Sequence, residues 1–445
     1  MKDIRQEQNK AKKLKSIKIK LIEYSKNEKV IQIVILYLVN ILSIPLGIFT
    51  SIVITKYLGA EIYGDYSLLI NIFNFAIVIF TFGFFQAGNR ALILNHDKEK
   101  TREIYGAVLI ILCSLFILMS LCLGLYGILD INLRNKGLTN IFIYLLPFSW
   151  IFLLTTYFET LFQADNKIYE LAKTRLYPKI GFFLSALVIY FLFSKIEINK
   201  LGLVLALYLL TFLVVYLSSL RRIKISFKNL KTNIKKLLAY NKSFGFDVYL
   251  GSVLSVGFAT LSGVIISYFG TDNAGVGYYA LALTFASPLT LIPNVVATTH
   301  YKEFALQNQI PKRLTLLTIG LTTITLLALW IVVGPFINIF YGSSFTPVIE
   351  LNLIVSVGIA FHGLADYYNR FLGAHGQGKA LRNGSIIVGL SILVMNMVFI
   401  PIWDETGAAI AKLIAGLIYL VNMYYYYIQL KKSLAPSDIS NLTKS

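Results

Sequence analysis

Polar side chains within long apolar stretches are the residues of this sequence that could do chemistry. Asn40 and Asn396 each lie near the middle of such a stretch, about 15 and 18 Å from its start at the rise of a helix. Lys412 lies about 8 Å inside the end of another stretch, and Asn71 and Asn74 share one helical turn of a fourth. Amide groups that line a cavity would bond the hydroxyl groups of a ligand, and a lysine there would attract an anion. The alternatives are hydrogen bonds between packed helices and a lysine that extends to the membrane surface.

The sequence carries no pattern typical of an enzyme or a metal site. The histidines have neither cysteine partners nor the spacing of metal ligands, and no phosphate-binding loop of the ATPase type is present. The two cysteines are nine residues apart in one apolar stretch, so on a helix they would lie about 13 Å apart, too far for a disulfide. The histidines are His96, His300, His362 and His375, and the cysteines are Cys113 and Cys122. We therefore predict no catalytic residues, no metal and no cofactor.

The elements that must position these side chains are membrane-spanning helices. Of the 445 residues, 56% are hydrophobic and only 14% are charged, with a mean hydropathy of +0.69, which excludes a soluble enzyme or a disordered chain. The apolar stretches are about 20 residues long, enough to cross a bilayer as helices and unlike the short alternating strands of an outer-membrane barrel. The sequence predicts an all-α polytopic membrane protein with twelve spans, at 30–54, 66–88, 105–128, 139–161, 177–194, 198–219, 245–269, 276–299, 313–334, 348–371, 384–403 and 407–429.

The positive charges are distributed very unevenly between the two sides of these spans. When residues at the ends of spans are counted with the adjoining loops, 35 of the 41 lysines and arginines fall in the two termini and the even-numbered connections, and five fall in the odd-numbered connections. Lys412 is the one left inside a span. Because cytoplasmic loops carry the excess of basic residues, both termini are predicted to be cytoplasmic. The same bias explains the net charge of +19, so no nucleic-acid partner is expected.

An internal repeat relates the two halves of the sequence. The pattern aromatic-apolar-Gly-x-acid, followed by Gly-x-Tyr-small-Leu, occurs after the first span and after the seventh, with Gly64 and Gly277 separated by 213 residues. A second pair of similar segments places Ala164 and Ala374 at a separation of 210 residues. Because this offset equals six spans, the halves have the same orientation, which predicts two pseudo-symmetric six-helix bundles.

The repeat divides the chain into five regions. They are a basic cytoplasmic leader at 1–29, bundles at 30–219 and 245–429, a linker at 220–244 and a cytoplasmic tail at 430–445. In the linker, Phe227, Leu230, Ile234 and Leu237 recur at helical spacing among lysines. This pattern predicts an amphipathic helix that lies on the anionic inner leaflet.

Arg90 closes the second span at the predicted inner end. The repeat offset maps it onto position 303, beside His300 and Lys302. Cationic groups that face one another across the axis between the halves would bind a pyrophosphate, and ordinary positive-inside residues are the alternative. Asp366 and Arg370, four residues apart in the tenth span, are expected to pair with each other.

Prolines mark candidate gates. Pro45 lies within the first span, and Pro288 and Pro293 lie within the eighth. A proline removes a helical hydrogen bond and allows a kink, although packing alone also tolerates proline in membrane helices. We therefore expect the first and eighth spans to bend.

The segment Tyr-Leu-Gly-Ala-Glu-x-Tyr-Gly-x-Tyr-Ser-Leu at 57–68 resembles the first outer loop of bacterial polysaccharide exporters of the O-antigen flippase type. The segment from Gly83 to Arg90 is similar to the end of their second span. These exporters belong to the superfamily of multidrug and toxic compound extrusion transporters and lipid II flippases. The resemblance covers the whole chain in length, span count and repeat. It implies two bundles around a central cavity that flip an undecaprenyl-diphosphate-linked oligosaccharide, such as an O-antigen or capsule unit, by alternating access.

The resemblance also implies a location and partners. The protein would lie in the bacterial cytoplasmic membrane and act with a polymerase and glycosyltransferases of the same pathway, besides its lipid-linked cargo and the membrane lipids. Protons, Na⁺ or the membrane potential alone remain open as the driving force.

Two other functions remain as alternatives. A drug/cation antiporter of the same superfamily commonly relies on a carboxylate within the spans, often in the first, and this first span has Asn40 and Ser43 but no acid. An integral-membrane polymerase or glycosyltransferase would be expected to present charged groups on a sizeable outer loop. The outer loop near 335–347 carries no charge.

Overall fold

The computed structural model describes residues 28–95, 97–193 and 199–434, and it is helical throughout these ranges. Most of the predicted leader and tail, and His96, lie outside the described residues. The α-helices are α1 Glu28–Leu58, α2 Ala60–Phe80, α3 Phe84–Ile93, α4 Lys98–Leu129, α5 Ile131–Asn135, α6 Thr139–Leu145, α7 Trp150–Ala164, α8 Ile168–Phe193, α9 Lys200–Ile223, α10 Leu230–Tyr240, α11 Phe246–Ser252, α12 Phe258–Phe269, α13 Ala274–Ala286, α14 Leu291–Thr299, α15 Tyr301–Phe304, α16 Lys312–Phe340, α17 Pro347–Ala374 and α18 Gly378–Leu434.

Twelve spans account for these helices. Ten long helices are apolar enough to cross a membrane, and the bent pair Thr139–Phe148 and Trp150–Ala164 adds one more. The 57-residue α18 is two spans that meet at a kink, where Trp403 and Asp404 leave helical geometry and Asp404 has φ 46°. The predicted all-α fold of two pseudo-symmetric six-helix bundles is confirmed.

Several spans are interrupted, and only some of the interruptions coincide with the predicted gates. In the eighth span, a 3₁₀ turn at Ser287–Thr290 begins with Pro288 and separates α13 from α14, which contains Pro293. Pro45, by contrast, lies inside the continuous helix α1. The sequence gave no sign of the π-helical turns at 241–245 and 253–257 in the seventh span. Such turns weaken the regular hydrogen-bond ladder and often mark functional positions.

The apolar cores show where the halves are joined. One large cluster of buried side chains fills the first half and extends into the spans of the second half, including Val276, Tyr279 and Val355. A separate cluster around Phe304 and Phe371 fills the predicted inner end of the second half. The halves therefore share an apolar core toward the predicted outer end, and the apolar side chains at the inner end of the second half form a cluster of their own.

The surface covered by the linker helix α10 differs from the prediction that this helix lies on the inner leaflet. Leu237 is buried, and Leu230 and Ile234 pack against the core of the first half, so the apolar face covers protein rather than the lipid leaflet. Asn229 and Asn233 fix the helix there, because their Nδ2 groups donate to the two oxygens of Glu103 at 3.1 and 3.0 Å. The apolar pattern was recognised correctly, but the surface that it covers depends on tertiary packing.

The fifth span begins earlier in the structure than the sequence predicted. Helix α8 begins at Ile168, nine residues before the predicted span, so Arg175 belongs to this helix and Lys179 lies well inside it and not at its end. Lys179 lies about 16 Å from the start of the helix at 1.5 Å per residue. Lys412 is therefore not the only cation within a span.

Candidate functional site

The halves meet closely at the predicted outer end, where the second and eighth spans cross. A Cβ atom added to Gly277 would lie 2.9 Å from the Tyr63 ring and 3.2 Å from the Cα atom of Gly64. A Cβ atom added to Gly64 would lie only 1.8 Å from the carbonyl oxygen of Asn273. Glycine at both positions permits this approach of the two backbones. The repeated motif thus marks a contact between the halves.

Polar side chains surround this crossing, and we call the following five residues the outer latch: Asp65, Asn132 and Lys136 of the first half with Ser267 and Asn273 of the second. The Lys136 ammonium donates to the Ser267 carbonyl oxygen at 2.6 Å and to Asn273 Oδ1 at 2.9 Å. Asn273 Nδ2 donates to Asp65 Oδ1 at 2.6 Å, and Asn132 Nδ2 donates to Ser267 Oγ at 2.8 Å. The latch and the glycine crossing close the predicted outer end in this structure.

Burial and the nearby negative charges shift the pKa of Lys136 in opposite directions. Burial lowers the pKa of the Lys136 ammonium, and the negative charges of Asp65 and Asp272 partly offset this effect. Nearby, the Tyr268 hydroxyl donates to the Asp130 carboxylate and adds a further bond between the halves. Because these contacts join residues of both halves, any opening of the outer end must break them.

The second and seventh spans also touch at the predicted inner end. Gly83 has φ 80° and follows the break between α2 and α3, and it faces the π-helical turn at 241–245. A Cβ atom on Gly83 would lie 2.3 Å from the Gly245 carbonyl oxygen, and one on Gly245 would lie 2.4 Å from that of Gly83. The two irregular segments of backbone therefore pack directly against each other.

Arg90 lies one to two turns farther along this contact. Its guanidinium carbon is 5.1 Å from the centre of the Phe244 ring of the second half, and the rest of the side chain is exposed. Such a cation–π contact leaves the guanidinium donors available to an anion. Gln86, one turn before Arg90, and Asn241, beside Phe244, each have a buried side-chain oxygen without a hydrogen-bond partner. The structure thus places Arg90 at the contact between the halves.

His300 and Lys302 make their contacts within their own segment. His300 Nδ1 lies 2.9 Å from the Val296 carbonyl oxygen, and its Nε2 lies 4.0 Å from Glu303. Lys302 is exposed on the short helix α15. Their cooperation with Arg90 across the axis stays a prediction.

The second half carries a group of charged and polar side chains within its tenth and twelfth spans. Lys412 lies eight residues, or about 12 Å, beyond the kink at Asp404, and Asp366 lies about 12 Å from the inner end of α17. All members are buried or half-buried except Arg370, which is exposed. We call this group the second-half charge cluster, and its members are His362, Asp366, Asn369, Arg370, Lys412 and Tyr419.

Tyr419 organises this cluster. Its hydroxyl donates to Asp366 Oδ1 at 3.1 Å and accepts a hydrogen bond from Asn369 Nδ2 at 3.0 Å. Its ring lies 4.9 Å from the ring of His362, whose Nδ1 atom is buried without a partner. The carboxylate is therefore oriented by the twelfth span and not by a neighbour on its own helix.

The expected pairing of Asp366 with Arg370 is wrong for this structure. The charges of Arg370 and Lys412 both act on the Asp366 carboxylate, but among the described residues neither cation has a carboxylate oxygen within 4.0 Å. The spacing of four residues allowed a pair, and the hydrogen bond from Tyr419 turns the carboxylate elsewhere. Two cations within the spans are thus left without a direct partner.

The first half has a smaller charged group in its fourth and fifth spans. Arg175 Nε donates to Glu159 Oε1 at 3.1 Å, so this cation is paired. Lys179 lies within electrostatic range of both residues and is exposed. A charge so deep in a span is costly unless it faces water or the interior of the protein. Lys179 lay inside the predicted fifth span, but it was counted with the adjoining inner loop.

The asparagines named from the sequence have different surroundings. Asn396 is fully buried, and its Nδ2 donates to Ser262 Oγ in the seventh span at 2.8 Å, so in this structure it packs helices and does not line a cavity. Asn71 of the second span lies against Gly263 of the seventh span, and Asn74 is half-buried. Asn40 is exposed on α1. Of the four, Asn40 is the most accessible to a ligand.

Comparison with known proteins places this geometry in context. A model of the polysaccharide biosynthesis protein family matches residues 31–301, more than half of the chain. No curated protein matches the sequence. A lipid II flippase MurJ in an inward closed conformation has a similar structure, with a TM-score of 0.66, 16% identity, and 89% of both chains covered.

Multidrug resistance transporters of the MATE family, in the MOP superfamily, also have this fold. An inward-facing structure gives a TM-score of 0.68 at 14% identity, covering 88% of this chain and 96% of the other. An outward-facing structure gives 0.58 at 12% identity, covering 93% and 98%.

Proposed function

The chain belongs to the polysaccharide biosynthesis protein family, and from that membership we propose that it flips a lipid-linked oligosaccharide across a membrane. The cargo would be an undecaprenyl-diphosphate-linked repeat unit of an O-antigen, a capsule or a related glycan. It would move from the inner to the outer leaflet of the bacterial cytoplasmic membrane, with both termini of the protein in the cytoplasm. The fold of known transporters and a flippase supports transport rather than catalysis.

The single observation that carries this proposal is the presence of cations without a carboxylate partner inside the spans. Lys412 and Arg370 lie in the second half, where both act on Asp366 through their charge, and Arg90 lies at the contact between the halves. An unpaired anion in an apolar medium is prohibitively costly, so a protein that moves a diphosphate must supply fixed positive charge. These residues meet that requirement.

The membrane potential is sufficient as the driving force. A diphosphate carries about two negative charges from the negative interior to the outside, and each charge gains about 2.3 kcal/mol per 100 mV. Export is therefore downhill, and the protein needs only to alternate its access. Opening of the outer latch, which joins Lys136 to Asn273, would be the step that exposes the cargo to the outer leaflet.

Sugar hydroxyls would be bound by exposed amides such as that of Asn40 in the first span. The partnerless oxygens of Gln86 and Asn241 are buried and would become available only if the contact between the halves near Arg90 opened. A polymerase and glycosyltransferases of the same pathway would consume and supply the cargo on the two sides of the membrane.

A drug/cation antiporter is the second candidate, because solved transporters of that kind share the fold. The charges within the spans argue against it. The first span has no carboxylate between Val30 and Leu58, and the second-half charge cluster has two cations for one acid. A site of this composition repels a cationic drug.

Two measurements test the proposal. Deletion of the gene is expected to remove the surface glycan and to leave its lipid-linked precursor in the cytoplasmic leaflet. In vesicles that contain the purified protein, a fluorescent lipid-linked oligosaccharide should become accessible to an impermeant quencher from both sides. Normal surface glycan together with altered drug sensitivity in the deletion strain would support the antiporter instead.

A further inference from the structure

The acid of the second-half charge cluster is held away from the cations that surround it. Asp366 accepts a hydrogen bond from the Tyr419 hydroxyl at 3.1 Å, and Asn369 fixes that hydroxyl from the other side at 3.0 Å. Arg370 and Lys412 act on the carboxylate through their charge but have no carboxylate oxygen within 4.0 Å in the described part of the chain. The negative charge is therefore near both cations and bonded to neither.

The first half provides a contrast within the same molecule. There, Glu159 bonds directly to Arg175 at 3.1 Å, as an acid and an arginine ordinarily do when they meet in a span. Glu159 is thus bonded to a cation, whereas the hydrogen bond that Asp366 accepts comes from a tyrosine. An incoming anion would have to displace Glu159 to bind Arg175, whereas it meets Arg370 and Lys412 unpaired.

The positions along the spans give the cluster an order. Arg370, Asp366 and His362 lie about 6, 12 and 18 Å from the inner end of α17 at 1.5 Å per residue. The carbonyl oxygen of Lys412 lies at the level of Gly358, where an added Cβ atom would be 2.7 Å away. Toward the predicted outer end, the order is therefore an exposed arginine, the withheld carboxylate, and then the lysine. An anion that passes from Arg370 to Lys412 must pass Asp366.

We propose that Asp366, positioned by the hydroxyl of Tyr419, sets the rate at which an anionic diphosphate headgroup leaves Arg370 and Lys412. This inference rests on the proposed function for the class of cargo. Each of the two cations, as the headgroup reaches it, would hold the diphosphate tightly through charged hydrogen bonds. A fixed negative charge beside them weakens that complex, and transport requires a site that is occupied and then vacated. Tyr419 keeps the carboxylate from neutralising the cations permanently.

The test measures binding of farnesyl diphosphate, a short prenyl diphosphate, to the purified full chain in detergent. Asp366→Asn removes the repulsion, so the affinity should rise roughly five- to tenfold and dissociation should slow. Tyr419→Phe removes the donor, so the carboxylate should turn to a cation and the affinity should fall by a similar factor. The double variant should bind as tightly as Asp366→Asn, because no carboxylate remains to be released.

Glu350→Gln is the matched control, since Glu350 is an exposed carboxylate on the same helix, about 24 Å from Asp366. It should leave the affinity within twofold of the wild type. Unchanged or weaker binding by Asp366→Asn would overturn the inference, as would equal tightening by Glu159→Gln, because the anion would then bind in both halves. A wild type that binds no prenyl diphosphate would also overturn it.

The result separates this inference from the proposed function. If the variants change the affinity as expected but the wild type moves no lipid-linked oligosaccharide in vesicles, the proposed function fails and the anion site stands. If the wild type moves the lipid and Asp366→Asn moves it at the wild-type rate with unchanged affinity, the inference about Asp366 is refuted and the proposed function stands. In the expected case, Asp366→Asn binds more tightly and moves the lipid more slowly.

Discussion

Replacement of Lys136 by alanine should open the outer end of this protein. The ammonium donates to the carbonyl oxygen of Ser267 at 2.6 Å, to Asn273 Oδ1 at 2.9 Å and to Ser267 Oγ at 3.2 Å. All three acceptors belong to the second half, whereas Lys136 belongs to the first. These bonds exist only while the outer end is closed, so their loss destabilises the closed state selectively.

The structure sets the size of the effect. A hydrogen bond to a charged group contributes about 1.5–3 kcal/mol. Lys136 is half-buried, and screening by water reduces the contribution, so about 2 kcal/mol is a reasonable value for the whole side chain. This energy corresponds to a shift of roughly 30-fold in the equilibrium between closed and open outer ends. Asp65 and Asn273 would retain their own bond at 2.6 Å, so the latch would be weakened and not abolished.

The assay is a distance measurement across the outer end. Spin labels at Asn135→Cys and Thr271→Cys, both exposed and one in each half, report the separation after Cys113 and Cys122 are replaced by serine. We expect a longer-distance population to appear in Lys136→Ala and to be minor in the parent protein. The shift should be larger at low ionic strength than at high, because the lost interaction is partly electrostatic.

A neighbouring cation provides the control. The Arg134 guanidinium donates to the Ile128 carbonyl oxygen at 2.7 Å, and both residues belong to the first half. Arg134→Ala removes the same charge two residues from Lys136, in the short helix α5, but no contact between the halves. Equal opening by Arg134→Ala, or an unchanged distance distribution in Lys136→Ala, would refute the latch.

Three further predictions follow from the same contacts. A cysteine at Asp404 should react with an impermeant thiol reagent from outside intact cells and one at Lys231 should not; labelling at Lys231 would reverse the proposed orientation. Cells with Arg90→Ala or Lys412→Ala should lose their surface glycan although the protein level is normal, while Arg90→Lys should keep part of it. Normal export by the alanine variants would show that these cations only set the membrane orientation or extend to the membrane surface. Gly64→Ala should reduce export and separate the outer ends in the spin-label assay, because its Cβ atom would meet the Asn273 carbonyl oxygen at 1.8 Å; a closed, active variant would contradict the glycine crossing.

The sequence by itself determined the number of spans and the repeat that relates the halves. Hydropathy measures the free energy of placing a stretch of chain in the bilayer, which is a property of consecutive residues. The repeat aligned Gly64 with Gly277, but only the structure shows that the two glycines lie against each other. Arg90 and Lys412 could be recognised from the sequence for a similar reason. A charge near or within a span is costly whichever side of the helix it lies on, so its position in the apolar stretch is sufficient to identify it.

Tertiary structure decided which partner each polar side chain has. Asp366 bonds to Tyr419 and not to Arg370, Asn396 bonds to Ser262 in place of a ligand, and the apolar face of the linker helix at Leu237 covers protein and not lipid. These outcomes depend on the rotation of each helix about its axis and on its neighbours, which are set by packing between helices distant in sequence. Hydropathy contains no information about that rotation, because a lipid-facing side and a protein-facing side are equally apolar.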